Sequence, residues 1–276
     1  MSPASHILIT GASAGLGLEL ARLFAADGHP LVLVARSGDK LQALAEVLRR
    51  DYEVDVRVVP ADLTAPDAVP ELLAVLEAED LRIRVLVNNA GMGAYGPFTD
   101  RDIATLQTLL TLNITALTLL TRGLLPDMIA GAQAGQPGPV GVMNVASTAA
   151  FQPGPLMAVY FASKSYVLSV SEALHEELRG TGVTVSAFCP GPTKTGFFTQ
   201  DAMIPTGDLT EADLAEFRRR DAKRMDAGLA ARLGYRGFQA GRAVVIPGLK
   251  NQLTAQSARF LPRSLMRRVV HRLMRR

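Results

Sequence analysis

The sequence predicts an α/β fold: a single doubly wound domain with a seven-stranded parallel sheet and helices on both faces. Short aliphatic runs alternate with longer amphipathic stretches along the chain, as expected where strands and helices follow one another. Right-handed crossovers between parallel strands then place helices on both faces of the sheet. A glycine-rich turn directly after the first run, TGASAGLG at 10–17, agrees with this fold class.

Seven runs rich in β-branched and aliphatic residues are predicted to be buried strands. They are HILIT (6–10), LVLVAR (31–36), VDVRVVP (54–60), RVLVNNA (84–90), GVMNVAS (141–147), VTVSAFC (183–189) and AVVIPG (243–248). Helix-length patterns between them cover 18–26, 40–50 and 66–79, among others. No repeat or linker divides the chain, so we expect one catalytic domain over 1–248 and an extension over 249–276.

Residues 196–226 interrupt the strand–helix rhythm with a mixed-charge helix and the apolar side chains Phe197, Phe198, Met203 and Ile204. An insertion after the carboxyl end of a strand is well placed to cover a ligand. We therefore predict a substrate lid here, with a plain surface helical hairpin as the alternative.

The composition is that of a globular protein, with 48% hydrophobic and 20% charged residues among 276. The single cysteine, Cys189, excludes an internal disulfide, and its apolar surroundings predict a buried, inert thiol. The four histidines, at 6, 29, 175 and 271, lack metal-ligand spacing. No metal site is predicted.

Neither a signal peptide nor a membrane span is expected. The start, MSPASHILIT, lacks a basic region followed by a long apolar stretch. The longest apolar candidate, 109–125, is interrupted by Asn113, several threonines and Arg122. A cytoplasmic protein, with peripheral membrane contact as an open alternative, is the simplest interpretation.

The net charge of +3 is unevenly distributed along the chain. Residues 249–276 hold eight Lys and Arg and no Asp or Glu, which leaves 21 basic against 26 acidic side chains elsewhere. The basic character therefore belongs to the C-terminal extension.

The turn at 10–17 has glycines spaced GxxxGxG, at Gly11, Gly15 and Gly17. Without side chains, the backbone can turn tightly and approach a pyrophosphate at a helix N-terminus. Ser13 and Leu16 belong to the same predicted phosphate-binding turn.

The end of the second strand bears on the choice between NAD and NADP. An acidic residue there would bind the ribose 2′-hydroxyl and repel a 2′-phosphate. The sequence instead has Ala35 followed by Arg36 and Ser37, with Lys40 nearby. A guanidinium pairs well with a phosphate, so NADP(H) is favoured over NAD(H).

Tyr160 and Lys164 in YFASK are four residues apart, which places both on one face of a helix. A neighbouring ammonium favours the phenolate form, so Lys164 is predicted to lower the pKa of Tyr160. Ser147, at the end of the fifth strand, offers a hydroxyl to a substrate oxygen on which charge develops.

Taken in order, TGASAGLG, NNAG at 88–91, Asn113, Ser147, YFASK and PGPTKT at 190–195 resemble the classical short-chain dehydrogenase/reductase family, over about residues 5–248. The resemblance implies a Rossmann-type fold and an NADP-preferring oxidoreductase acting on a carbonyl or alcohol. It implies Tyr160 as general acid in reduction, or base in oxidation, with Ser147 orienting the carbonyl. Lys164 would bind the nicotinamide ribose, and Asn113 would hold a helix kink and a water of the proton relay.

The resemblance also implies the remaining cofactor contacts. Asp62 would bind the adenine together with the Leu63 backbone, whereas the nicotinamide carboxamide would lie against the PGPTKT segment. The full set of positions implied for this segment and for the adenosine ribose is Asn88, Ala90, Gly91, Pro190, Gly191, Thr193 and Thr195. Two departures are a serine motif without its usual glycine, at STAA, and Ala14 where some NADPH-preferring members carry a basic residue.

The predicted pocket, from 92–95, 149–157 and the lid near Phe197 and Ile204, is mostly apolar. It favours a hydrophobic ketone, an aldehyde, or a 3-oxoacyl or steroid-like carbonyl. The family forms dimers and tetramers, commonly through helices corresponding to about 100–125 and 158–178, so a homodimer or homotetramer is expected. Open alternatives in function are a non-catalytic NADP(H)-binding redox sensor or regulatory subunit, and an NAD-linked alcohol dehydrogenase.

The C-terminal segment SLMRRVVHRLMRR forms a basic amphipathic pattern. Its apolar stripe consists of Leu265, Met266, Val269, Val270 and Leu273, with Arg267, Arg268, His271, Arg272 and Arg275 opposite. Such a helix suits an anionic membrane surface, but equally a terminal helix packed on the body or on a partner subunit. Nucleic-acid binding is not expected, since the tail has Phe260 as its one interleaved aromatic and no recognised module.

Overall fold

The computed structural model describes residues 5–135, 138–195, 203–205, 224–260 and 262–274. Most of the predicted lid, including Phe197, Phe198 and the side chain of Ile204, lies outside these residues.

All seven predicted strands are present and join one parallel sheet. Its strands are β1 (His6–Thr10), β2 (Leu31–Ala35), β3 (Val56–Pro60), β4 (Ile83–Asn88), β6 (Gly141–Val145), β7 (Thr184–Phe188) and β11 (Val244–Val245). Their order across the sheet is β3-β2-β1-β4-β6-β7-β11. The chain adds β2 and β3 on one side of β1, and then β4, β6, β7 and β11 on the other side. This reversal of the strand order makes the sheet doubly wound, as predicted.

Two short parallel pairs lie outside this sheet. Strand β5 (Gly93–Tyr95) pairs with β9 (Met203–Pro205), and β8 (Thr193–Lys194) pairs with β10 (Met225–Asp226). The first pair brings the described part of the predicted lid beside β5. The lid function itself stays a prediction.

The helices lie between the strands and after the last one. They are α1 (Gly15–Ala26), α2 (Gly38–Tyr52), α3 (Ala68–Ala78), α4 (Ile103–Leu110), α5 (Leu117–Gln133), α6 (Ala158–Glu177), α7 (Ala227–Gln239), α8 (Leu249–Phe260) and α9 (Arg263–Met274). A π-helical turn, Thr111–Ala116, joins α4 to α5, and a 3₁₀ turn, Thr148–Phe151, follows β6.

The central strands divide the core into two layers by the alternation of their side chains. In β1, Ile7 and Ile9 pack with α1 and α2, whereas Leu8 packs on the opposite face with α3 and α5. Strand β2 repeats this alternation. A strand buried on both faces has apolar side chains pointing both ways, which explains the uninterrupted runs ILI (7–9) and LVLV (31–34).

A polar network crosses the second layer. The Asn88 Nδ2 donates to Asn144 Oδ1 at 2.9 Å and to Thr121 Oγ1 at 3.0 Å. Asn144 in turn donates to Ser171 Oγ at 2.9 Å. These hydrogen bonds tie β4 and β6 to α5 and α6, the elements that carry the site.

The helical segment Ile103–Gln133 bears on the expectation that the chain has no membrane span. By length and composition it is apolar enough to cross a membrane, with a mean hydropathy of 1.6. Its inner face packs against the body of the protein, where Leu120, Leu124 and Met128 are part of the hydrophobic core. Only 28% of its most apolar window is buried, and it leaves Leu110 and Leu119 exposed. This exposed side lies within the helices expected to form subunit contacts.

Candidate active site

The three side chains of the predicted catalytic group meet at the carboxyl edge of the sheet. Ser147 follows the end of β6, and Tyr160 and Lys164 lie one turn apart on α6. The Ser147 side chain hydrogen-bonds the Tyr160 phenol and also accepts from the Ala149 N–H at 3.1 Å. The serine therefore has a fixed orientation beside the phenol.

Lys164 is buried beneath the phenol. Its side chain is 6% exposed, and its Nζ donates to the Val145 carbonyl oxygen at 2.8 Å and lies 5.9 Å from the centroid of the Tyr160 ring. Burial lowers the pKa of Lys164 to about 8, since the charged form loses its hydration. The ammonium is still the major form at neutral pH.

The pKa of Tyr160 shifts in the direction opposite to the one predicted from the sequence. Burial raises the pKa of Tyr160 to about 12 and outweighs the lowering effect of the Ser147 hydrogen bond. The Lys164 ammonium is directed to a backbone carbonyl rather than to the phenol oxygen. Tyr160 is consequently a protonated phenol at neutral pH, which is the form that a proton donor needs.

Asn113 lies in the π-helical turn between α4 and α5 and is 1% exposed. Its amide accepts from the Met92 N–H and donates to the Met92 carbonyl oxygen, both at 2.9 Å. It also donates to Ser163 Oγ at 3.0 Å. The widened turn thus directs a polar side chain inward and links the loop after β4 to α6.

The glycine-rich turn is held by a residue that the sequence reasoning missed. The Asn89 Nδ2 donates to the carbonyl oxygens of Thr10 and Gly11, both at 3.0 Å. In return, Thr10 Oγ1 accepts from the N–H groups of Asn89 and Ala90. Gly11 adopts a φ of +64°, and a Cβ on Gly17 would lie 2.3 Å from the Gly11 oxygen. Only glycine fits at these two positions.

Asn88 and Asn89 therefore have different roles. Asn88 is 3% exposed and its amide faces the core network, so its side chain supports the sheet, whereas its place beside the adenosine ribose stays a prediction. Ala90 and Gly91 lie partly buried at the edge of the site. A Cβ on Gly91 would be 3.3 Å from Asn113 Oδ1 and 3.4 Å from Lys164 Nζ.

Arg36 and Asp62 follow β2 and β3 along the same edge of the sheet. Arg36 is exposed. Burial acts to raise the pKa of Asp62, but two hydrogen bonds from Thr64 and the charge of Arg36 hold it below its ordinary value. Asp62 is therefore ionised at neutral pH, and Leu63 beside it is buried in the core.

The PGPTKT segment completes the edge after β7. Pro190 accepts a hydrogen bond from the Thr148 N–H at 2.9 Å, and Thr193 Oγ1 donates to the Gly191 oxygen at 2.8 Å. A Cβ on Gly15 would lie 2.9 Å from the Thr195 Cβ, so this segment touches the glycine-rich turn. Asn251 of α8 packs against Gly191.

These residues fit a dinucleotide. Helix α1 begins at Gly15 with no side-chain cap and no acidic residue in its first turn, which leaves its positive end available to a pyrophosphate. Ser13 and Leu16 are partly buried in the same turn. Arg36 and Asp62 stand at one end of this edge, with Ser147, Tyr160 and Lys164 toward the other.

Tyr160 also lines a small cavity. It is mostly apolar, with one cation, and its lining includes Ala94, Arg101, Leu106, Leu109, Leu156, Met157 and Val159. Ala94, Leu156 and Met157 fall within the predicted pocket ranges. The α4 side chains were missed, because their pattern is that of an ordinary amphipathic helix.

Helix α9 closes another side of the site. Met266 and Val270 pack with Ala149, Met157 and Phe161, and Tyr160 lies against the same cluster. The Tyr95 hydroxyl donates to the Met274 carbonyl oxygen at 2.7 Å. One part of the predicted apolar stripe therefore packs on the body.

The sequence also led to predictions about the single cysteine and about metal sites. Cys189 is fully buried, as expected, and burial raises its pKa to about 12, so the thiol is inert at neutral pH. Within the described residues, no cluster of His, Cys, Asp and Glu could hold a metal ion.

Comparison with known proteins finds dehydrogenases and reductases with similar sequences and folds. A family model described as short chain dehydrogenase matches residues 5–203. Sulfoacetaldehyde reductase 2 of Chromohalobacter salexigens is 36% identical over 77% of this chain and 80% of its own length. A short-chain dehydrogenase from Sphingobium yanoikuyae, solved with NADPH, has 34% identity and a TM-score of 0.76 and covers 92% of this chain and 93% of its own.

A further solved relative is the bulky-bulky ketone specific alcohol dehydrogenase from Comamonas testosteroni. It shares 31% identity and a TM-score of 0.72, with 94% of this chain and 93% of that chain covered. The similarity thus extends well beyond the nucleotide-binding half and includes most of the chain after β6.

Proposed function

Because this chain belongs to the short-chain dehydrogenase family, we propose that it is an NADPH-dependent reductase that converts an apolar ketone, aldehyde or 3-oxoacyl-type carbonyl to an alcohol. The observation that carries the proposal is the convergence of Ser147 and Lys164 on Tyr160, which also lines an apolar cavity. The relatives support the reaction class: one is a reductase of an aldehyde and another a ketone-specific alcohol dehydrogenase.

The chemistry assigned to the chain is proton donation and alignment. NADPH, when bound, supplies the hydride to the carbonyl carbon. The Tyr160 hydroxyl donates its proton to the carbonyl oxygen, and the Ser147 hydroxyl holds that oxygen in line. Tyr160 is protonated at neutral pH, as its role as proton donor in reduction requires. Lys164 stabilises the phenolate left after proton transfer, since its ammonium is the nearby cation beneath the ring.

The remaining assigned residues hold the nucleotide. The α1 N-terminus with Gly11, Gly15 and Gly17 binds the pyrophosphate. Arg36 binds the 2′-phosphate and Asp62 the adenine, whereas 190–195 receives the carboxamide. The apolar lining of the cavity beside Tyr160 supports a hydrophobic substrate.

Carbonyl-dependent oxidation of NADPH tests the proposal directly. We expect tight NADPH binding in a fluorescence titration, and loss of nicotinamide absorbance with bulky ketones or acyl carbonyls. Tight binding without turnover across a broad carbonyl panel would instead favour a redox sensor. Binding of neither NADPH nor NADH would refute the assignment.

Replacement of Arg36 tests the choice of cofactor. A charge-assisted hydrogen bond contributes about 1.5–3 kcal/mol, so Arg36→Ala should weaken NADPH binding about 10- to 100-fold and leave NADH binding nearly unchanged. Arg50→Ala, which removes an exposed arginine of α2, is the matched control. Equal losses for both cofactors in Arg36→Ala would show that Arg36 does not read the 2′-phosphate.

A further inference from the structure

The apolar stripe of α9 is divided between two environments. Met266 and Val270 are 5% and 3% exposed and face the active-site cluster. Leu265, Val269 and Leu273 repeat every four residues, which makes them one row, and they are 46%, 42% and 62% exposed. The helix is therefore attached to the body by one side and presents a second apolar row to the solvent.

Helix α8 presents a similar row. Leu249, Leu253 and Phe260 fall on one helical face and are 71%, 63% and 83% exposed. The opposite side of α8 is attached to the body, since Ala255 is buried. Two consecutive helices thus expose six large apolar side chains to solvent. Single exposed apolar residues are ordinary, but such a concentration indicates an interaction surface.

Basic side chains flank the apolar row of α9. Arg268 and Arg272 follow Leu265 and Val269 by three positions, which makes them neighbours on the helix surface. Both are exposed, as are Arg263 and Lys250. The stretch 249–276 contains no Asp or Glu. Among described residues, no ion pair joins an arginine of α9 to a carboxylate.

We propose that α8 and α9 together dock the protein on an anionic lipid surface. Exposed leucine, valine and phenylalanine side chains suit the headgroup–acyl boundary, and the flanking arginines suit anionic headgroups. A second copy of this chain fits less well, because a two-fold contact would bring two surfaces of the same positive charge together. The rest of the chain has 21 basic against 26 acidic side chains and is therefore net acidic. An anionic surface attracts the basic extension and repels the rest, so the protein would bind with the extension facing the lipid.

Docking in this orientation has a consequence for the site. The inner side of α9 packs on Met157 and Phe161 next to Tyr160, so the helix that contacts the lipid also forms a wall of the active site. Lipid binding itself does not depend on the reductase assignment, and it is measured without turnover.

Vesicle co-sedimentation of the full chain tests the proposal. We expect sedimentation with vesicles of phosphatidylglycerol and phosphatidylcholine, much less with phosphatidylcholine alone, and release at high salt. At about 1 kcal/mol per basic residue, Arg268→Gln with Arg272→Gln should weaken the partition about 30-fold. The charge-matched control is Arg50→Gln with Arg179→Gln, at two exposed arginines far from α9 in sequence, and it should bind as the unchanged protein does.

A second pair of variants tests the apolar row. Leu265→Ser with Leu273→Ser should fold normally, because both side chains are exposed, and should lose vesicle binding. If no anionic vesicle sediments the protein, or if all variants sediment equally, the proposal is overturned. It is also overturned if the serine pair leaves lipid binding unchanged and only dissociates an oligomer in light scattering, since the surface would then bind a second copy.

Discussion

Tyr160→Phe should reduce carbonyl-dependent NADPH oxidation by about 10³-fold, because the variant lacks the proton donor while keeping the ring. The phenyl group retains the contacts with Phe161 and with the cluster beneath α9. NADPH affinity and thermal stability should therefore change little. The measurement is kcat at saturating NADPH, with circular dichroism to confirm folding.

The matched control is Tyr166→Phe, on the same helix. Its hydroxyl contacts Thr118 Oγ1 at 2.9 Å, so this substitution also deletes one hydrogen-bonded phenol oxygen, but away from the site. We expect nearly full activity. Substantial turnover by Tyr160→Phe, or equal losses in the two variants, would contradict Tyr160 as the acid.

Gly17→Ala should weaken NADPH binding, and carbonyl-dependent turnover should fall about 100-fold, the cost of misplacing reacting groups by about 1 Å. The added methyl would lie 2.3 Å from the Gly11 oxygen and 2.5 Å from Asn89 Nδ2. Neither contact can be relieved without displacing the glycine-rich turn. Overpacking of this kind also costs about 1–3 kcal/mol of folding stability. A fluorescence titration, carbonyl-dependent NADPH oxidation and a thermal melt measure the three effects.

Gly228→Ala provides the comparison, since Gly228 also lies in the first turn of a helix, α7. There the nearest atoms are the ends of the Asp226 and Glu19 side chains, both at 3.2 Å, so the added methyl needs a far smaller adjustment than at Gly17. This variant should bind NADPH normally. Normal binding by Gly17→Ala would mean that the turn does not approach the nucleotide closely.

The sheet could be predicted from the sequence because its strands are buried on both faces. The runs ILI (7–9) and LVLV (31–34) are apolar at every position, and each is followed by a glycine or a helix-length pattern. The pairs β5–β9 and β8–β10 could not be predicted, since strands of two or three residues are too short to show periodicity. The resemblance implied a helix kink at Asn113, but its π-helical form could not be predicted, because widening a helix by one residue leaves its composition unchanged.

The catalytic side chains could be predicted from the sequence, because each is a distinctive residue type at a fixed spacing. The roles of two adjacent residues of the same type could not be told apart. Ser147, Tyr160 and Lys164 meet as the spacing suggested, although the pKa of Tyr160 depends on burial that a sequence does not reveal. Asn88 and Asn89 have the same side chain, and only the alternation along β4 decides that the first faces the core network and the second the glycine-rich turn. The stripe of α9 is wider than its contact with the body, so it is only partly buried.

The hydrogen bonds between Asn89 and the turn after β1 bear on how fast the protein takes up its cofactor. Asn89 and Thr10 are joined by two hydrogen bonds that need no ligand. The turn therefore acquires its shape when the domain folds. Little conformational entropy then remains to be lost on association. Encounter and orientation, rather than a slow rearrangement of the turn, should set the rate of nucleotide capture.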